Sequence, residues 1–185
     1  MILDPVKDLQ LLQSWSSKLR NTDLELIYRG SRDGFNAKCF HTFCDDQGPT
    51  SVVCQAGGSG RIFGGETSQS WSKSNKFVSD KEVFLFSITE STKHAIKDRN
   101  HAIYCSSETG PIFGEGYDLF IAGGNSHKNE VCTSILGITY KANEKIGDRT
   151  KYLAGEAKFR LQGIEVFKIT NNLAQKLQDV QKISQ

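Results

Sequence analysis

Cys39, His41 and Cys44 form a Cys-x-His-x-x-Cys run, and Cys54 follows downstream. These are zinc-ligand types, and a structural zinc needs four of them converging on a tetrahedron. On a helix, residues 39 and 41 point to different sides, and Cys39 and Cys44 fall on an apolar face, so free buried thiols are the expectation. His41 and Cys44 stand at i and i+3, within reach of one another on one helix. Nucleophilic catalysis also needs an oxyanion site and an orienting third group, and no elbow or triad pattern accompanies this pair. Two glycine-rich runs, 57–60 and 110–116, lack the Lys-Ser/Thr and the strand–loop–helix setting that phosphate binding requires, and read as hairpin turns. Asp45, Asp46, Glu66, Asp80, Glu82 and Glu115 are scattered, with no paired spacing for acid/base work. No catalytic residue, metal or cofactor is assigned, and the expectation is a protein that is not an enzyme.

The elements that must position these residues follow from periodicity. Asp4 can cap and Pro5 can start a helix over 5–19, with Val6, Leu9, Leu12, Trp15 and Leu19 on one stripe. That stripe reads as packing before partner binding. A strand over 24–28 leads into a turn at 30–34, and a second helix, capped by Asp33, carries Phe35, Cys39, Phe40, Phe43 and Cys44 until Gly48-Pro49 stops it. A hairpin is expected over 51–63, and strands over 83–88, 102–105, 117–121 and 159–169. The stretch 123–151 reads as long loops with Ile135, Leu136 and Ile138 as a short apolar anchor. The tail 171–185 reads as a helix with Leu173, Leu177 and Val180 on one face, equally suited to lying on the body or in a partner's groove.

A chain of 185 residues has room for one packed core. Its hydrophobic fraction of 37% is modest, and 11 Phe compensate by burying large areas. The balance of 23 basic and 21 acidic residues leaves +2, too weak a field to argue for nucleic acid. No apolar run reaches membrane-spanning length, the N-terminus lacks the pattern of a secretory signal, and five Cys without a framework spacing fit a reducing compartment. A cytoplasmic protein is expected, without membrane insertion.

Five segments in order resemble the TLDc family, over about residues 24 to 169. They are 26–35 with Phe40-His41, Cys44-Asp45 and Gly48-Pro49-Thr50; Ile62-Phe63-Gly64-Gly65 with Trp71; Phe84 to Ser87; 110–114 leading into 117–121; and 164–167. The last strand lacks a Val-Trp-Gly ending, which makes the pattern more similar to protist and fungal branches than to animal ones. The resemblance implies a mainly β, α+β fold: two antiparallel sheets packed as a sandwich, short marginal helices, and amphipathic helices flanking a domain of 23–169 at 1–22 and 170–185.

The resemblance also implies a non-catalytic interaction domain that binds and regulates the vacuolar-type proton ATPase at its cytosolic sector and peripheral stalk, linked to oxidative-stress resistance. Such a protein would be peripheral at vacuolar or endolysosomal membranes through the pump. Its expected contacts are Ser31, Arg32 and Asp33, Glu66, the loop around Trp71, and Leu173, Leu177 and Val180. Asp33 and Trp71 also admit structural readings, as helix cap and core filler. Two alternatives stay open: a redox-active cysteine protein that scavenges peroxide through Cys44 or another thiol, and a scaffold module in a larger protist assembly.

Overall fold

The computed structural model describes residues 1–19, 22–124, 128 and 130–170. Two antiparallel six-stranded sheets pack face to face. The first orders β1 (Asp23–Arg29), β12 (Leu161–Thr170), β2 (Thr50–Ala56), β3 (Ile62–Thr67), β5 (Phe84–Ser87) and β6 (Thr92–Ala95). The second orders β11 (Lys158–Phe159), β10 (Cys132–Thr133), β9 (Leu119–Phe120), β8 (Ile112–Phe113), β7 (Ile103–Cys105) and β4 (Lys76–Val78). Because β12 inserts between β1 and β2, the first sheet closes only when the end of the domain meets its beginning.

Side-chain alternation divides the core into two layers. Val52, Cys54, Leu85, Ile164 and Val166 face the second sheet and meet Ile103, Phe113, Leu119, Cys132 and Phe159. Their neighbours Val53, Phe84, Phe86, Phe167 and Ile169 point the other way and pack with Leu3, Leu12 and Leu19. The N-terminal segment with α1 (Lys7–Trp15) therefore covers the outer face of the first sheet. This explains why β2 is buried almost throughout, and it places the Leu stripe of α1 as packing. Phe84, Phe86 and Ile88 alternate with Leu85 and Ser87 as in a strand with one buried face, yet both faces of β5 are buried.

The helices differ from expectation in instructive ways. Asp4 does cap, its Oδ1 accepting from the amides of Val6 and Lys7, but α1 ends at Trp15 because Ser16 turns extended. The turn expected at 30–34 is a short helix, α2 (Gly30–Asp33), and the helix expected after it is α3 (Ala37–Cys44), with Gly34 between them at φ +101, in a region open essentially to glycine alone. Asn36 caps α3 by accepting from the amide of Cys39 at 2.9 Å, so Asp33 is not that cap. In the β2–β3 hairpin a Cβ at Gly64 would sit 1.9 Å from the Val52 carbonyl oxygen, so the two backbones approach closer than any other residue allows. The strands β4, β6, β8 and β10 stand where no strand was expected; at two to four residues they are too short to show a period-two pattern.

Candidate functional site

The turn expected to form a contact is α2 itself, projecting beyond the end of β1. Ser31 and Arg32 are exposed. Arg32 donates through Nε and Nη2 to both oxygens of Asp33, at 2.7 and 2.8 Å, and Asp33 Oδ2 also accepts from the amide of Arg29 at 2.8 Å. The Arg32 hydrogen bond, with those charges and amides, holds the Asp33 carboxyl below its usual range. Asp33 thus ties the turn together, and the exposed Arg32 also donates through Nη2 to the Ile27 carbonyl at 3.4 Å. Tyr28 donates to the Gly34 carbonyl at 2.7 Å beneath the turn, and its ring stacks with the exposed ring of Phe43 at 6.4 Å. Ser31, Arg32 and Phe43 are the part of this region a partner can touch.

Trp71 and Glu66 lie elsewhere. Trp71 is 1% exposed; its Nε1 donates to Thr50 Oγ1 at 3.0 Å, and its ring meets Phe40 and Phe113 edge-on at 5.6 and 5.5 Å. It joins α3 to the second sheet and fills the core, so its side chain is not a surface contact. Glu66 is 3% exposed. Its Oε1 accepts from Ser16 Oγ at 2.6 Å, while Oε2 has no partner among the described residues. Burial pushes its carboxyl up to about 6. Lys93 Nζ donates to the Trp15 carbonyl at 2.5 Å beside it, so Glu66 and Lys93 clasp the end of α1 onto the sheet, under a pocket of about 250 Å³. Leu173, Leu177 and Val180 lie outside the described residues.

The reactive side-chain types are internal. Cys44, Cys54, Cys105 and Cys132 are buried and Cys39 is half-buried. Burial pushes all four buried thiols up, that of Cys132 up to about 11, which suppresses thiolate formation. His41 is buried, with Nδ1 2.7 Å from Asp45 Oδ1 and Nε2 3.1 Å from the Thr109 carbonyl oxygen. Both ring nitrogens are thereby committed away from Cys44. Among the described residues the Cys39–His41–Cys44–Cys54 set does not converge; Asp98, His101 and Glu115 do, with ligand atoms within 4.8 Å, at the surface. There His101 Nδ1 meets Asp98 Oδ2 at 2.7 Å, which raises the imidazole and lowers the carboxyl from their ordinary values.

Sequence reasoning passed over one organising residue. Asp118 is fully buried and its two oxygens accept from the amides of Gly137, Ile138, Thr139 and Tyr140 at 2.8 to 3.2 Å. A carboxylate in a cradle of amides is a charge-assisted anchor, and it fixes the loop 137–140 against β9. Tyr140 then reaches down to donate to the Ala102 carbonyl. The signal was a lone Asp inside an apolar strand, where an unpaired carboxylate would be costly.

The sequence model of one protein family, the TLDc domain, matches residues 1–170. No curated protein matches the chain.

Proposed function

The chain belongs to the TLDc domain family, and from that premise we propose that it is a non-catalytic protein-interaction domain that binds and regulates the vacuolar-type proton ATPase, in a role linked to oxidative-stress resistance. The observation that carries this reading is the family match across 170 of the 185 residues, over a sandwich of two antiparallel sheets. The residue types that could support chemistry serve packing instead: Trp71 and the buried cysteines fill the core, and His41 ties α3 to the 109 loop. What remains for recognition is surface, with Ser31, Arg32 and Phe43 over the end of β1 as one patch, Asp33 holding its shape. Among the described residues no helix is long and apolar enough to cross a membrane; in this reading the bound pump brings the chain to one.

The test is an affinity purification from a cell lysate on the immobilised full chain, read by mass spectrometry, beside a chain truncated after Ile169. Recovery of catalytic and peripheral-stalk subunits of the pump supports the proposal, and their weakening on truncation assigns Leu173, Leu177 and Val180 a part in it. Enrichment of a stable complex containing no pump subunit favours a scaffold role and discards the pump.

A further inference from the structure

The long loop held by Asp118 carries a face where exposed apolar side chains and cations without an ion pair occur together. Tyr117, Ile135 and Ile138 are 49%, 41% and 46% exposed. They form one patch: the amide of Ile135 donates to the Tyr117 carbonyl at 3.2 Å, and Ile138 packs over Gly116, where an added Cβ would come within 2.4 Å of its Cδ1. Tyr117 is held at φ +57, a conformation a tyrosine rarely adopts, and this directs the chain outward just before the buried Asp118. The four amides on Asp118 fix the backbone beneath Ile138, so the apolar surface is presented in one arrangement.

Beside Ile138 runs a groove of about 300 Å³ lined by Lys97, Gly137, Lys141 and Arg149. Lys97 Nζ donates to the Gly137 carbonyl at 3.1 Å. Among the described residues no carboxylate lies within ion-pair distance of Lys97, Lys141 or Arg149, because the acids nearby are taken. Asp98 and Glu115 face His101, and Asp148 faces Lys151. The apolar patch therefore adjoins three cations without an ion pair of their own among the described residues, Lys97 feeling Asp98 only at longer range.

We propose that this face docks a segment of a partner protein in which an apolar side chain is flanked by aspartate or glutamate. The apolar group would cover Ile138 and Tyr117, and the acids would enter the groove toward Arg149, Lys141 and Lys97. Charge complementarity selects this occupant. A second copy packed isologously would set the same three cations against themselves. The tail 171–185 contains two lysines against one aspartate and so brings no acidic surplus. The net charge of +2 supplies no wider field for a nucleic acid. The proposal rests on reading the chain as an interaction domain, though not on which protein it binds, and a pre-organised face of this kind lowers the ordering cost of binding.

The probe is a fluorescein-labelled peptide of leucines flanked by glutamates, with a lysine-flanked counterpart, titrated with the full chain and read by anisotropy. The acidic peptide is expected to bind, to weaken as salt rises from about 0.05 to about 0.3 M, and to lose about tenfold or more in affinity with Arg149→Glu and with Ile138→Asn. Lys158→Glu, at an exposed position of β11 outside both patches, should leave it unchanged. Both Arg149 and Ile138 are exposed, and an unaltered melting temperature confirms that the variants fold. Equal binding of the two peptides, no binding of the acidic one, or binding indifferent to both variants overturns the proposal. The same variants tested for capture of the proton pump separate the two readings. Capture that the variants do not weaken leaves the function standing and removes this face; acidic-peptide binding without pump capture does the reverse.

Discussion

Glu66→Gln should flatten the pH dependence of stability. The Glu66 carboxyl is buried, accepts one hydrogen bond from Ser16, and has its second oxygen without a partner among the described residues; burial raises it from 4.5 to about 6. The folded protein therefore binds a proton that the unfolded chain has already released between those values. Stability from this group is fully present below 4.5 and is lost as pH rises through about 6. At about 1.4 kcal/mol per pH unit, the difference is about 2 kcal/mol. Glutamine keeps the acceptor for Ser16 Oγ and carries no charge. Any fixed cost of its amide in this buried place is the same at every pH. Urea unfolding of both proteins at about pH 4 and about pH 7.5 should show the wild type losing about 2 kcal/mol more than the variant over that interval. Equal losses in the two proteins would falsify the assignment of a carboxyl under α1 that burial raises more than Ser16, Lys18 and Lys93 lower it.

Further outcomes follow from the same contacts. Asp118→Ala leaves four amides of the 137–140 loop without their acceptor and should cost about 3–5 kcal/mol in urea unfolding; a cost below about 1 kcal/mol would remove Asp118 as the anchor. Gly64→Ala puts a methyl 1.9 Å from the Val52 carbonyl oxygen and should cost at least about 2 kcal/mol; a neutral result would contradict the register of β2 and β3. Titration of the native chain with dithiobis(nitrobenzoate) should show one fast thiol, abolished by Cys39→Ser, with the four buried thiols reacting only on denaturation. Fast reaction at Cys44 would revive the peroxide-scavenging reading.

Much of the architecture was legible because the central strands carry strong patterns. The strands around Val52–Val53, Phe84–Phe86 and Ile164–Ile169 are long or apolar enough to read, whereas α3 ends at Cys44, before the Gly48-Pro49 expected to stop it. What alternation could not tell was that β5 is covered on both sides, since a strand between two layers shows no polar face. The helical turn of α2 was hidden because Gly30 and Gly34 give residues 30–34 the composition of a plain turn. Strands such as β8 and β10 are paired by the tertiary fold, with two residues each, and leave no local trace.

The candidate site was less legible. Asp33 could be placed at the exposed turn, but its role in binding Arg32 and the Arg29 amide depends on a backbone turn that spacing does not specify. Trp71 and Glu66 were singled out as contacts and are buried: a tryptophan in a polar stretch, 66–76, has the local sequence of a surface loop, and only long-range packing on Phe40 and Phe113 takes it inside. Ile135 and Ile138, read as an anchor, are exposed, and Leu136 between them is the anchor. The amide cradle of Asp118 joins residues about twenty positions apart, beyond the reach of any local motif.

The central claim is a direct association with the proton pump, and the measurement that tests it is the binding of the purified chain to the purified cytosolic sector of a vacuolar-type ATPase by interferometry, with ATP hydrolysis followed in parallel. The account predicts saturable binding with Kd of about 10 μM or tighter and a change in hydrolysis that tracks occupancy. No binding up to about 100 μM, with the chain folded and monodisperse, would contradict it.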